Sequence, residues 1–156
     1  MKTENDAYLT LAALCALAEH CQYEMLEKMR RWELPEDAQA RVMAKLVKER
    51  YVDDERYAQA FVKDKIRYNK WGRRKVEQAL WQKRIDEDIR KRVLDEVDSN
   101  EYLSVLRPLL KQKRKSIKAN SDYELNQKLM RFAVGRGFTF DIIRQCIDVE
   151  EEPDDL

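Results

Sequence analysis

MLEKMRRWELPEDAQARVM, residues 25–43, and VEQALWQKRIDEDIRKRVL, residues 76–94, are one pattern written twice. Met25, Met29, Leu34, Ala38, Val42 and Met43 in the first stand where Val76, Leu80, Ile85, Ile89, Val93 and Leu94 stand in the second, at a constant offset of 51. A third copy runs over 125–147, with Leu125, Leu129, Phe138, Ile142, Cys146 and Ile147 in those places. Each copy has an apolar pair four apart, a short break led by one apolar residue, then apolar residues at helical spacing. An acid precedes the first apolar residue of the second helix every time: Asp37, Asp88 and Asp141. A period of this size denotes stacked supersecondary units. Such arrays present surfaces more often than they house deep catalytic pockets. The expectation is an all-α chain of three tandem three-helix repeats, helix-turn-helix-like units in an elongated, curved array. The repeats are placed at 1–52, 53–98 and 99–149, with an acidic tail at 150–156.

Composition agrees with that reading. Each third of a 156-residue chain is near the lower limit for an independent core, so the repeats should lean on one another. Three glycines and three prolines leave little material for hairpins, and a charged fraction of 39% suits slender helical proteins with much surface. No apolar run approaches the roughly 20 residues of a membrane span. The start, Met1-Lys2-Thr3-Glu4-Asn5-Asp6, is too polar and acidic for a secretory signal. Cys15, Cys21 and Cys146 are odd in number and form no CxxC, so they read as reduced, partly buried thiols of a cytoplasmic protein.

The net charge of +1 conceals blocks. Residues 1–52 sum to −1, 53–85 to +5, 86–101 to −4, 102–147 to +7 and 148–156 to −6. Positive charge concentrated in the second and third repeats points to an anionic partner for part of the surface.

Local signals divide each repeat into helices. Ala7–His20 is so rich in alanine and leucine that much of its circumference should be buried. A second helix is expected from Tyr23 to Arg31. Pro35 suits the first turn of a third, which should turn Val42, Met43, Leu46 and Val47 inward. Asp53 or Asp54 caps the next, with Tyr57, Phe61, Val62 and Ile66 as its buried stripe. Gly72 separates it from a helix over Arg73–Lys83, and Asp86 caps another through Val97. In the third repeat Pro108 interrupts an apolar pattern of Leu103, Leu106, Leu110 and Ile117, which predicts a kink or a helix start there. Ser121 with Glu124 reads as a capping box. Leu129 to Phe138 spans nine residues against five from Leu80 to Ile85, so this middle helix should be one turn longer, ending at Gly135 and Gly137. A last helix is expected from Thr139 to about Val149.

Catalytic chemistry finds little support. The single histidine, His20, lies beside Cys21 and near Cys15, but a zinc site needs about four ligands. No phosphate-cradling or nucleophile-elbow motif is present. Gly135-Arg136-Gly137 is too short to cradle a phosphate and reads as a helix stop. No enzyme activity, cofactor or metal is expected.

The basic residues are more informative. Lys63, Arg67 and Lys70 follow i, i+4, i+7 spacing and so share one helix face. Arg73, Arg74 and Lys75 open the next helix, where positive charge opposes the helix dipole. Residues that break a local rule are candidates for function. Lys111, Lys115 and Lys118 share a face in the third repeat, with Lys113 and Arg114 beside them, and Arg131 and Arg136 lie on the long middle helix. Tyr68, Trp71 and Trp81 are interleaved with these bases. Trp32 and Trp81 read as packing residues, while Trp71, at the turn, is open to either role. The basic set taken as an anionic contact surface is Lys63, Arg67, Lys70, Arg73, Arg74, Lys75, Lys111, Arg114, Lys115, Lys118, Arg131 and Arg136.

Three segments go beyond generic patterning. YVDDERYAQAFVKD at 51–64 resembles the RecX family signature GYLDDERFARAFVRD. WGRRKV at 71–76 with QKRID at 82–86 is similar to its GPRRIRQEL…KGID segment. KLMRF at 128–132 with RGFTFDII at 136–143 is similar to KLYRFLLRRGFSYDDI. The likeness covers 7–149 in order, and Arg50 and Arg84 stand where the family has glycine. The resemblance implies a bacterial cytoplasmic regulator of the RecA recombinase, built of three three-helix repeats and not an enzyme. It implies binding in the helical groove of the RecA–single-stranded DNA filament and suppression of ATPase, strand-exchange and coprotease functions. A monomer with basic faces on recombinase or on DNA phosphate fits that implication. The competing expectation is a stand-alone helical DNA-binding module, although no base-reading set of Asn, Gln and Arg occupies one helix.

Overall fold

The computed structural model describes residues 2–147. The expected acidic tail and the reach of the last helix to Val149 lie outside the described residues. Nine helices and no strand occur among those residues. They are α1 (Glu4–Leu17), α2 (Gln22–Arg31), α3 (Glu36–Lys48), α4 (Asp54–Arg67), α5 (Arg73–Gln82), α6 (Glu87–Asp95), α7 (Ser99–Arg114), α8 (Asp122–Gly135) and α9 (Phe140–Ile143).

The repeat signature is a core signature. Of its eighteen apolar positions, fifteen are buried, and Ile89, Leu125 and Cys146 are half-buried. The short break inside each copy is a helix stop of one design. After α2, α5 and α8 the chain enters the left-handed region at Glu33 (φ 57°), Arg84 (φ 57°) and Gly137 (φ 92°). The next residue then donates its N–H back to the last turn: Leu34 to Met29 O, Ile85 to Leu80 O and Phe138 to Ala133 O, each at 3.2 Å. This is the Schellman arrangement, with its apolar residue after the turn buried in the core. Leu34, Ile85 and Phe138 are that residue. α3 ends the same way at Arg50 (φ 62°). A residue with a Cβ in this region costs about 1 kcal/mol over glycine, and Arg50 and Arg84 both carry that cost.

Two compact units result, Met1–Phe61 with Leu80–Val93 and Val62–Ala79 with Leu94–Leu156. α4, α5 and α6 each pass from one unit to the other. In the first unit, Leu11, Met25, Met29 and Leu46 are the largest fully buried side chains of the cluster formed by α1–α3. Buried Gln39 is satisfied by donating to Leu34 O at 2.8 Å. Asp53 and Asp54 both cap, but different helices. Asp53 accepts from Arg56 N at 3.1 Å, and Asp54 accepts from Gln22 N at 2.8 Å at the start of α2. In the second unit α7, α8 and α9 pack on one another. α8 has 14 residues against 10 in α2 and α5, the extra turn that the spacing predicts.

Several local expectations fail. α1 starts and ends three residues earlier than predicted, and it is covered on one side only: Leu9 is 57% and Leu17 85% exposed. Val47 also faces solvent, because α3 turns Val42, Met43 and Leu46 inward and no more. Pro35 caps α3 rather than entering its first turn. α7 runs unbroken through Pro108. Ser104, whose carbonyl loses its partner to the proline ring, is exposed, so water can replace the missing N–H. Ser121 caps α8 through Glu124 N at 3.1 Å, but the Glu124 carboxylate returns to Asn120 N at 3.0 Å instead of to Ser121. α9 is a single turn, far shorter than expected.

Candidate anion-binding face

All twelve basic residues of the expected contact surface fall in the second unit. Up to Ile147 that unit holds 17 lysines and arginines against 9 carboxylates, whereas the first unit holds 14 against 15.

Two glycines organise this charge. Gly72 N donates to Arg136 O at 2.8 Å, and Arg74 N donates to Gly137 O at 3.0 Å. The turn before α5 and the turn after α8 therefore lie backbone against backbone. A Cβ on Gly72 would sit 2.3 Å from Phe138 Cα, and one on Gly137 would sit 2.5 Å from Lys75 Cβ. Neither position has room for a side chain. This clamp sets Arg73, Arg74 and Lys75 of the second repeat beside Arg136 of the third.

Two half-buried aromatic rings flank the clamp, each under two cations. Lys65 and Lys75 place Nζ 5.2 and 5.0 Å from the Trp71 ring centroid. Lys113 Nζ and the Arg136 guanidinium lie 5.0 and 5.8 Å from that of Phe132. Arg136 also donates to Asn69 O at 3.4 Å. Such contacts contribute on the order of 0.5–1 kcal/mol at exposed sites and hold long side chains in place. Phe132 and Lys65 are the members that the sequence pattern does not single out, and it marks Gly72 and Gly137 only as helix breaks. A glycine set between tryptophan and three cations is a signal of close backbone approach, but its partner 65 residues away is not legible from spacing.

The remaining basic residues divide by role. Arg73 is half-buried and pairs with Asp95 at 2.6 Å, which offsets part of the unfavourable charge at the start of α5. Arg74 and Arg131 are exposed. Lys63 and Arg67 border a cleft of about 110 Å³ beside Glu101 and Ser104. Two expectations of shared helix faces need correction. α4 ends at Arg67, and Lys70 follows it in a left-handed turn (φ 58°) instead of extending the face. α7 ends at Arg114, so Lys111 and Arg114 lie in its last turn, Lys115 caps it and Lys118 is in the loop beyond. The Lys118 carbonyl accepts from Lys128 Nζ at 2.8 Å. Trp81, expected to pack, is 63% exposed. It follows Leu80 by one residue, and one step around a helix turns the side chain by about 100° out of the core.

No cluster of three or more metal-ligating groups exists among the described residues. His20 Nδ1 lies 3.4 Å from Glu24 Oε1, and Cys21, the residue before α2, is buried with its thiol pushed up to about 11 by that burial. The three cysteines are free. No helix among the described residues is long and apolar enough to cross a membrane.

Comparison with known proteins places this geometry. Residues 53–94 match the family model for the second three-helix domain of RecX, and 100–147 match that for the third. The chain is 27% identical over 150 residues to a regulatory protein RecX of Bacillus cytotoxicus, covering 96% of this chain and 56% of the relative. It is 32% identical over 115 residues to one of Clostridium botulinum, covering 72% and 53%. The chain thus spans little more than half the length of these relatives. Among solved structures, RecX from Lactobacillus salivarius superposes with a TM-score of 0.81 at 19% identity, over 92% of this chain and 93% of that one. A second crystal structure, of a regulatory protein RecX, gives 0.82 at 18% identity, over 92% and 72%. At these identities the superpositions speak to fold.

Proposed function

The chain belongs to the RecX family, and on that premise we propose that it is a regulator of a RecA-type recombinase, acting by binding and not by catalysis. The observation that carries this reading is the clamp-centred basic face of the second unit, which up to Ile147 holds 17 cations against 9 carboxylates. The protein lies as a monomer in the groove of the recombinase–single-stranded DNA filament, in the cytoplasm. Its basic face meets acidic recombinase surface, DNA phosphate, or both. Bound this way it bridges neighbouring protomers and opposes the rearrangement that accompanies ATP hydrolysis and filament growth. ATPase, strand-exchange and coprotease activities of the filament are suppressed. A charged face of this kind also speeds encounter with an anionic filament and makes binding sensitive to salt.

The test is a titration of recombinase, single-stranded DNA and ATP, following hydrolysis. The unmodified chain should suppress hydrolysis at substoichiometric amounts. Arg74→Glu with Arg131→Glu changes two exposed side chains outside the clamp contacts and should raise the amount required by about tenfold or more. Arg73 is unsuitable for reversal, since it is paired with Asp95. Unchanged inhibition by the double variant would refute the basic face as the contact. Direct DNA binding in the absence of recombinase, with a steep salt dependence, would favour the stand-alone DNA-binding module.

A further inference from the structure

Up to Ile147 the second unit carries a net charge of +8, from 17 lysines and arginines and 9 carboxylates. Three ion pairs form within it among the described residues: Arg73–Asp95, Lys128–Glu124 and Arg144–Asp141. Arg74, Lys75, Arg131 and Arg136 are in none of them. Like charges gathered around one clamp repel, and an anion placed among them relieves that repulsion. The first unit, with 14 cations against 15 carboxylates, has no such demand.

The strongest run of anions in the chain follows directly. Residues 148–156, DVEEEPDDL, hold six carboxylate side chains and no cation. They lie outside the described residues, but their point of departure is fixed. Ile147 is 4% exposed and donates its N–H to Ile143 O at 2.9 Å, so the chain leaves from the core of the basic unit. The distance to cover is short. From Thr139 to Ile147 the backbone runs in helical turns, a rise of about 12–16 Å. Thr139 is two residues beyond Gly137, which adds at most about 7 Å. Ile147 is therefore within about 25 Å of the clamp. Nine extended residues reach roughly 30 Å.

We infer that residues 148–156 dock on the basic face of the second unit and cover it until another polyanion displaces them. Their carboxylates take the places that phosphate or an acidic protein surface takes in the bound state. A tethered ligand acts at an effective concentration in the millimolar range, so a contact of submillimolar affinity keeps the face covered most of the time. Docking needs only the charges of this chain. Its consequence for inhibition rests on the reading that the basic face is the filament contact.

The experiment compares the full ¹⁵N-labelled chain with a variant whose six acids become amides: Asp148→Asn, Glu150→Gln, Glu151→Gln, Glu152→Gln, Asp154→Asn and Asp155→Asn. At low salt the two spectra should differ at the amides of Arg74, Lys75, Arg131 and Arg136. At about 1 M salt, where charges interact over only about 3 Å, the unmodified chain should lose that difference, so the result does not hang on the variant alone. Differences confined to the neighbours of Ile147, or spread evenly over both units, overturn the proposal. Inorganic tripolyphosphate is the competing probe. The amide variant should bind it about 3- to 10-fold more tightly, since its face is uncovered. Net charge alone also favours the variant, so the same six changes are made together with Arg74→Glu and Arg131→Glu. In that background the gain should shrink to about twofold or less. An undiminished gain would be a general charge effect and would overturn docking. The recombinase titration separates the two readings. Docking in the spectra with unchanged inhibition by the amide variant would sink the basic face as the filament contact and leave docking standing. Inhibition that needs the basic face, in a chain whose spectra show no docking, would sink this inference alone.

Discussion

In the first unit, cations reach across elements to carboxylates: Arg41 to Glu4, Arg56 to Glu19, Lys83 to Glu24 and Arg92 to Glu55. In the second unit Arg73–Asp95 joins two helices, while Lys128–Glu124 and Arg144–Asp141 are local pairs within three or four residues. Both units are built from the same repeated helices. They differ in where the positive charge goes. The first neutralises it internally, and Arg56 shows how: besides Glu19 it donates to the carbonyls of Arg50 and Tyr51 at the end of α3. The second gathers it around two glycines and leaves a field facing outward. Exposed ion pairs are each worth only about 0–1 kcal/mol, so the contrast matters little for stability and a great deal for what each unit attracts.

The largest expected effect lies at the clamp. Gly72→Ala forces a Cβ into the Phe138 backbone. It should destabilise the chain by about 3 kcal/mol or more, among the largest effects of a single methyl group. Chemical denaturation measures this, and a loss below about 1 kcal/mol would mean that the two turns separate easily. A subtler contrast sets Arg56→Ala against Arg74→Ala. The first removes an ion pair and two carbonyl contacts and should cost about 1 kcal/mol. The second should leave stability within about 0.5 kcal/mol and lower recombinase inhibition instead. Equal stability losses would erase the distinction between cations that hold the fold and cations that face a partner. The smallest effect concerns the left-handed caps. Arg50→Gly relieves the strain at φ 62° and should raise stability by about 0.5–1 kcal/mol in the same denaturation experiment. Arg84→Gly should gain less, because Arg84 stacks over the Tyr23 ring at 5.3 Å and the glycine would lose that contact.

The failures of local reading share a cause. Spacing puts Lys70 and Lys118 on helix faces, yet spacing holds only while the helix continues, and both helices stop before reaching them. The leucine-rich first helix and Trp81 read as packing from their sequence, yet Leu17 and Trp81 are exposed, because an apolar side chain is buried only if a neighbouring element covers it.

The helical repeat and its core can be read from the chain alone. The periodicity is enforced by each residue's own position on a helix, so the pattern of Met25 to Met43 and its two copies is legible without a partner. The short breaks are legible as breaks, but their left-handed caps at Glu33, Arg50 and Arg84 carry no glycine to announce them. Which basic residues come together depends on the folded chain. Gly72 and Gly137 are 65 residues apart, and their contact depends on two backbones meeting where neither has a side chain. The division into a neutral and a basic unit cuts through α4, α5 and α6. Packing follows proximity in space, and a period in the sequence carries no information about which turns will touch.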